Sequence, residues 1–274
     1  VNVTATQSVS SFCRATMVFP LSDDNSDRQR VPWVTWSLIA ANVVVFVLFQ
    51  QGGKNDDVTL AFCQVPAEIV TGKDIVTEPT MQEVEYEGQH YQVSVPGLRP
   101  TPIPVYLTLL TGIFLHGGWM HLLGNMWFLF IFGDNVEDDM GHARYLIYYL
   151  AAGVLASLAF VFLNARGDEA LTPCLGASGA ISGVLGGYLV LHPNRRVSVI
   201  LFRFIMDVPG YVAVGIYFLM QVVLGLSDTG GGVAYSAHVA GFIAGLILAK
   251  PLSDGDIRRQ ADQLVTFRRR HKGR

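Results

Sequence analysis

The chain has 274 residues, 51% of them hydrophobic and only 15% charged, with a formal net charge of −3. Charges gather in blocks between long apolar stretches, which excludes an ordinary soluble globular protein and places the chain in a membrane. No nucleic acid partner is expected.

Residues 1–32 precede the first apolar run and are expected to form a cytoplasmic N-terminal segment. They hold no apolar core followed by a small-residue cleavage site, so no removable signal peptide is expected there. A spanning helix needs about 20 mostly apolar residues. Six runs come close, at 33–50, 118–134, 143–163, 178–192, 209–226 and 234–250, the fourth being the shortest. Backbone groups inside a bilayer must pair within the protein, so these runs are expected to be helices. None shows the polar/apolar alternation of a barrel strand. The predicted fold is therefore an all-α polytopic membrane protein, with a six-helix membrane domain over 33–252. A long loop, 51–105, separates the first two helices. It carries Pro66, Pro79, Pro96 and Pro100, and a loop of that length is more often functional than idle. Its stretch from Gln82 to Val95 has enough alternation to predict a small hairpin. Residues 253–274 form a basic tail suited to anionic lipid headgroups.

Orientation follows from the nineteen Lys and Arg residues. With a cytoplasmic N-terminus, fifteen of them fall on inner segments and four (Lys54, Lys73, Arg99 and Arg166) on outer ones. That bias predicts that both termini are cytoplasmic and that loop 51–105 faces outward. A cell (plasma) membrane is the expected location.

Four polar residues then fall at one depth. The second run carries His121 and Asn125 near its outer end, the fourth carries Ser178 at its first turn, and the sixth carries His238 about one turn in. At 1.5 Å per residue all four sit in the outer part of the bilayer. Each alone has a structural explanation, since a serine among glycines is usually a packing residue and an intramembrane histidine often satisfies a carbonyl. Separate packing roles give no reason for a shared depth. The fourth run also has Gly179, Gly183 and Gly187, and the sixth has Ala237, Gly241, Gly245 and Ala249. Such small-residue stripes let two helices approach closely, bringing Ser178 and His238 toward hydrogen-bond reach.

The chemistry this permits is acyl transfer. A serine hydroxyl becomes a nucleophile when a base takes its proton, and a histidine titrates in the right range. The developing oxyanion needs preorganised donors, available from backbone N–H groups at the head of the fourth run, from Asn125 and from a ring nitrogen of His121. No acidic residue lies at this depth, so a Ser–His dyad without a visible third member is expected.

The stretches His116-Gly117-Gly118-Trp119-Met120-His121-Leu122-Leu123-Gly124-Asn125, Gly176-Ala177-Ser178-Gly179 and Ala237-His238-Val239-Ala240-Gly241 occur in this order. In them, and in the turn from Glu137 to Arg144, the chain resembles the rhomboid family of intramembrane serine proteases over most of its length. The resemblance implies a six-helix rhomboid-like bundle, with Ser178 as nucleophile and His238 as general base. It implies an oxyanion hole lined by His121, Asn125 and Gly176, a cavity open to the outside, and substrate entry past the fifth helix. Implied substrates are single-span transmembrane proteins, cut near the outer face, with membrane lipids as the surroundings. At position 182 some relatives have a tyrosine packed under the histidine, where this chain has Ser182. The alternative function is a non-catalytic rhomboid-like binder that passes transmembrane clients to a soluble protease.

Other chemistries fit poorly. A zinc protease wants His-Glu-x-x-His, which is missing from the chain. The five-residue step from His116 to His121 does not put both rings on one helical face. Cys13, Cys63 and Cys174 lack metal spacing, so no metal or cofactor is expected. Cys63 and Cys174 both fall on the predicted outer side, which leaves a disulfide between them open. Arg203 and Asp207 read as interfacial residues.

Overall fold

The computed structural model describes residues 19–86, 89–201, 203–226 and 234–254. Cys13 and the basic tail from residue 255 onward lie outside these. All six apolar runs are helical. The first is α1 (Trp33–Val44), ending in a π-helical turn over Val45–Phe49. Two short helices follow, α2 (Asp56–Phe62) and α3 (Pro66–Thr71). The other five runs are α4 (Trp119–Met140), α5 (His142–Asn164), α6 (Ser178–Leu191), α7 (Gly210–Leu226) and α8 (Tyr235–Leu252). By length and composition α5 and α8 can each cross a membrane, and the helical turns of 105–114 pass the same test jointly with α4 across a 79° break. Helices α1, α6 and α7 are apolar but shorter.

The seam between α6 and α8 is a close approach, and its cause is in the glycines. A Cβ placed on Gly241 would lie 2.1 Å from the Gly179 carbonyl oxygen, and one on Gly245 would lie 2.1 Å from that of Gly183. Only a residue without a side chain fits at that separation. The other face of α6 meets α5, where Gly179 and Gly183 lie against Ala156 and Ala152. Tyr148 of α5 reaches between the two helices and donates to the Gly183 carbonyl at 2.6 Å and the Gly245 carbonyl at 3.2 Å. Helix α6 is thus held from both sides, with every residue from Gly179 to Tyr188 buried.

Two features depart from expectation. Helix α4 runs on through the acidic block to Met140 instead of ending near 134. Carboxylates at a helix C-terminus oppose the helix dipole, and here the segment before α1 offsets that cost. Arg28 pairs with Asp134 at 2.6 Å, and the Gln29 and Arg30 amides donate to Asp138. Glu137 accepts from the amides of Val34 and Thr35, at 2.9 and 2.8 Å, and from the Thr35 hydroxyl at 2.7 Å. Pro32 at the N-cap of α1 offers no side-chain acceptor, so a carboxylate from α4 satisfies the amides that a helix start leaves open.

The second departure is a sheet. Strands β4 (Arg196–Leu201) and β5 (Phe204–Pro209) form a hairpin between α6 and α7, and β1 (Phe19–Asp23) pairs antiparallel with β4. Arg203 and Asp207 therefore lie on this hairpin, where Asp207 accepts from Ser198 at 2.6 Å. The expected hairpin in the long loop is present as β2 (Thr80–Tyr86) and β3 (Gln89–Val95).

That loop is tied to the approach to α6 by an isolated antiparallel bridge between Gln64 and Cys174, with N–H to O distances of 3.1 and 2.8 Å. Cys63 and Cys174 are both free thiols. Side chains of a bridged pair share a face and the next residue points the other way, so Cys174 and Cys63 face opposite sides. Cys63 packs with Val65, Leu98, Leu115 and Leu175, whereas Cys174 packs beside Ala156, Phe160 and Ala237. The structure gives the open disulfide alternative no support.

Candidate active site

Ser178 opens α6. The first intrahelical bond is from the Ile181 amide to the Ala177 carbonyl, at 2.9 Å, so the amides just before it have no partner within the helix. They point, with the positive end of the helix dipole, toward the space in front of Ser178. Gly176 stands at φ 125°, a conformation that only glycine adopts readily. Its amide donates to the Gly112 carbonyl at 2.8 Å. A Cβ there would also lie 2.8 Å from the His121 ring and 3.7 Å from Ser178 Oγ. The turn is thus shaped by backbone freedom and by the space His121 occupies.

The α6–α8 seam brings the two expected reactive groups together. His238, in the first turn of α8, has its Nε2 2.7 Å from Ser178 Oγ. Its Nδ1 is 2.8 Å from Oε1 of Gln221 on α7. An amide oxygen only accepts, so Nδ1 carries the proton and Nε2 presents its lone pair to the serine hydroxyl. Gln221 was not anticipated. The available signal was that it is the one amide side chain in the fifth apolar run.

His121 comes to the same place from α4, with Asn125 one helical turn further along. The Gly117 amide donates to His121 Nδ1 at 3.3 Å, which leaves Nε2 as the protonated nitrogen, on the Gly176 side. Asn125 is buried, and its Nδ2 has no hydrogen-bond partner. His116, fully buried, stands edge-on to His121 with ring centroids 5.1 Å apart, and neither of its ring nitrogens has a partner. Its backbone is clamped by Gln50, which donates to the His116 carbonyl at 2.9 Å and accepts from the His116 amide at 3.0 Å. This holds the 79° break before α4 against the end of α1.

Ser182 sits one turn below Ser178, is fully buried, and lies 3.1 Å from the Tyr217 hydroxyl of α7. The Cys174 thiol, four residues before Ser178, is pushed up to about 11 by burial, and that of Cys63 to about 12. Neither is a nucleophile near neutral pH.

A bundle of apolar helices with a serine and a histidine in contact at one end defines a class, that of helical membrane proteins carrying a hydroxyl–imidazole pair. A family model described as the Rhomboid domain matches residues 105–255. Among curated relatives, RHOMBOID-like protein 5 of Arabidopsis thaliana is 27% identical over 248 residues, 80% of this chain and 68% of that one. Rhomboid protease GluP of Bacillus subtilis (strain 168) is 36% identical over 146 residues, 53% of this chain and 25% of that one. Rhomboid-like protein 11, chloroplastic, of Arabidopsis thaliana is 30% identical over 156 residues, 55% of this chain and 54% of its own length. The chain belongs to the rhomboid family, whose members are integral membrane proteins.

Proposed function

We propose that this chain is an intramembrane serine endopeptidase that cuts single-span transmembrane proteins near the outer face of a cell membrane. The observation carrying the proposal is the 2.7 Å contact between His238 Nε2 and Ser178 Oγ at the head of α6. In this reading α1, α4, α5, α6, α7 and α8 are the six spans, both termini are cytoplasmic, and the loop from 51 to 105 lies outside.

The chemistry runs in two halves. Ser178 Oγ attacks the scissile carbonyl carbon while His238 Nε2 takes its proton. The carbonyl oxygen becomes an oxyanion met by the Asn125 amide, by Nε2–H of His121 and by the backbone N–H of Ser178; the Gly176 amide, expected to join them, is already bonded to the Gly112 carbonyl and shapes the turn instead. Collapse breaks the C–N bond, and His238 returns the proton to the departing amine. Water then attacks the ester carbonyl, His238 takes its proton, and that proton goes to Ser178 as the acid leaves. Each oxyanion donor is worth roughly 10²–10³ in turnover.

The test uses purified protein in micelles with a single-span substrate, set beside Ser178→Ala and His238→Ala. Cleavage is expected only in the wild type. Equal cleavage by either variant would remove the dyad. A wild type that binds the substrate without cutting it would favour a client-binding member of the family over a protease.

A further inference from the structure

The base in this site is oriented by a residue outside the dyad, and that residue sits on a peripheral helix. Helix α7 buries only Gly210, Ala213, Val214 and Gln221. Leu219 and Val223 on its other face are 61% and 52% exposed. A glutamine on such a helix is costly unless its amide is paired, so its burial needs a partner, and the partner is the imidazole.

The contact is one rung of a seam. Phe218 of α7 stacks on Phe242 of α8 with centroids 4.3 Å apart. Gln221 meets His238, and a Cβ on Gly225 would lie 3.0 Å from Tyr235 Cβ. Positions 218, 221 and 225 descend one face of α7 while 242, 238 and 235 ascend α8, as antiparallel helices require. On the neighbouring face Tyr217 holds Ser182, directly below the nucleophile. Helix α7 therefore hydrogen-bonds His238 directly, through Gln221, and the residue one turn below Ser178, through Tyr217.

We propose that Gln221 is a positioning residue. By accepting from Nδ1–H it holds His238 in the tautomer, and in the ring orientation, that presents the Nε2 lone pair to Ser178. It does the work that a carboxylate does in a triad, without burying a charge. The base is thereby competent only while α7 lies against α8, so displacement of α7 releases the ring from its seat. Besides Ser178 and Gln221, the titratable groups found acting on the imidazole among the described residues are Tyr235 of its own helix, with centroids 6.3 Å apart, and His121 of α4. Neither carries a fixed charge that would orient the ring instead.

This inference rests on the protease reading, and one set of variants separates the two. Gln221→Leu removes the acceptor at nearly constant volume, and Gln221→Glu keeps an oxygen in its place. With the single-span substrate, Gln221→Leu is expected to lose roughly 10²-fold in kcat, as for a misplaced catalytic group, with KM within about twofold. Gln221→Glu is expected to recover at least about tenfold of that loss. Nitrogen NMR of 15N-histidine-labelled protein, with His238 assigned by its absence in His238→Ala, is expected to report Nδ1–H in the wild type and to lose that signature in Gln221→Leu. If Gln221→Leu does not fold, Gln221→Asn, which withdraws the acceptor by one methylene, takes its place. Wild-type kcat in the folded variant, or an unchanged His238 tautomer, would overturn the proposal. The tautomer is readable even in a wild type that cuts nothing, so failure of the protease reading stays distinct from failure of this one.

Discussion

The two ends of the bundle treat polar groups in opposite ways. At the end away from Ser178, the acids of α4 are all engaged. Arg28 holds Asp134, backbone amides hold Asp138, and Glu137 caps α1 while also contacting His142 at 2.6 Å. Arg30 and Arg144 both reach Asp254, closing the C-terminal end of α8 onto the same cluster. At the Ser178 end, Asn125 Nδ2 and both His116 ring nitrogens are buried without partners, and the head of α6 leaves amides open. A buried unpaired donor costs about 1–3 kcal/mol; the Tyr145 and Tyr149 hydroxyls are also unpaired, away from Ser178, so the Ser178 end differs in having its unpaired groups near a reactive pair. One end uses its hydrogen bonds to hold the helices together, while the other leaves donors unpaired, which under the proposed protease reading would meet the charge of an oxyanion.

The strongest test of that contrast is Glu137→Ala. It deletes a fully buried carboxylate and strands the Val34 and Thr35 amides at the start of α1. The expected loss is roughly 3–5 kcal/mol, read by thermal unfolding in micelles. Turnover per folded molecule should stay within about twofold. A variant of normal stability and no turnover would show that the two ends are not separable.

Asn125→Ala is the mirror experiment. Its amide nitrogen has no partner to lose, so the stability change should be below about 1 kcal/mol. Turnover should fall by roughly 10²–10³ through the missing oxyanion donor. Full turnover in this variant would take Asn125 out of the oxyanion hole.

A smaller effect belongs to the engaged end alone. Asp23 accepts from Asn135 and from Tyr188, at 2.5 and 3.0 Å. Burial, and then the nearby Asp134, raise its carboxyl from the usual 3.8 to about 7. An acid whose folded pKa is raised contributes stability that is fully present below its unfolded value and is lost as pH climbs through the folded one. Between about 4 and about 7, wild-type stability should therefore fall with pH relative to Asp23→Asn. Parallel melting curves for the two across that window would show that Asp23 ionises as it does in the unfolded chain.

Much of the Ser178 end could be read from the residues before any geometry. Ser178, His238, His121 and Asn125 are polar side chains in apolar runs, and the glycine stripes explain why two of the helices meet. Gln221 escaped because an amide is invisible to a search for charge, and its role depends on which face of α7 meets α8. The length of α4 escaped for a different reason. Its acidic block looks like a loop until one knows that its partners, Arg28 to Thr35, return from about a hundred residues earlier in the chain. Strand β4 was within reach, since Val197 and Val199 are buried in alternation with Arg196 and Ser198, but six residues of alternation are a weak signal beside long apolar runs.

The finest test concerns the wall of the Ser178 end, where the Gln64–Cys174 bridge pins the long loop beside Ser178. Cys63 is 0% exposed, both thiols are raised well above neutrality by burial, and the two point to opposite sides of the bridge. In a Cys13→Ser background near neutral pH, a maleimide should modify neither thiol in the folded protein and both after denaturation, because the thiolate is the reacting form, burial keeps both thiols protonated, and Cys63 is also out of reach of solvent. Non-reducing mass mapping should find two free thiols. Rapid labelling of Cys174 alone would mean that the bridge opens in the resting protein, and that the donors around Ser178 are exposed to water between turnovers. Labelling of neither would place the loop among the fixed parts of the site, leaving α7, which is packed on one face only, as the element able to move.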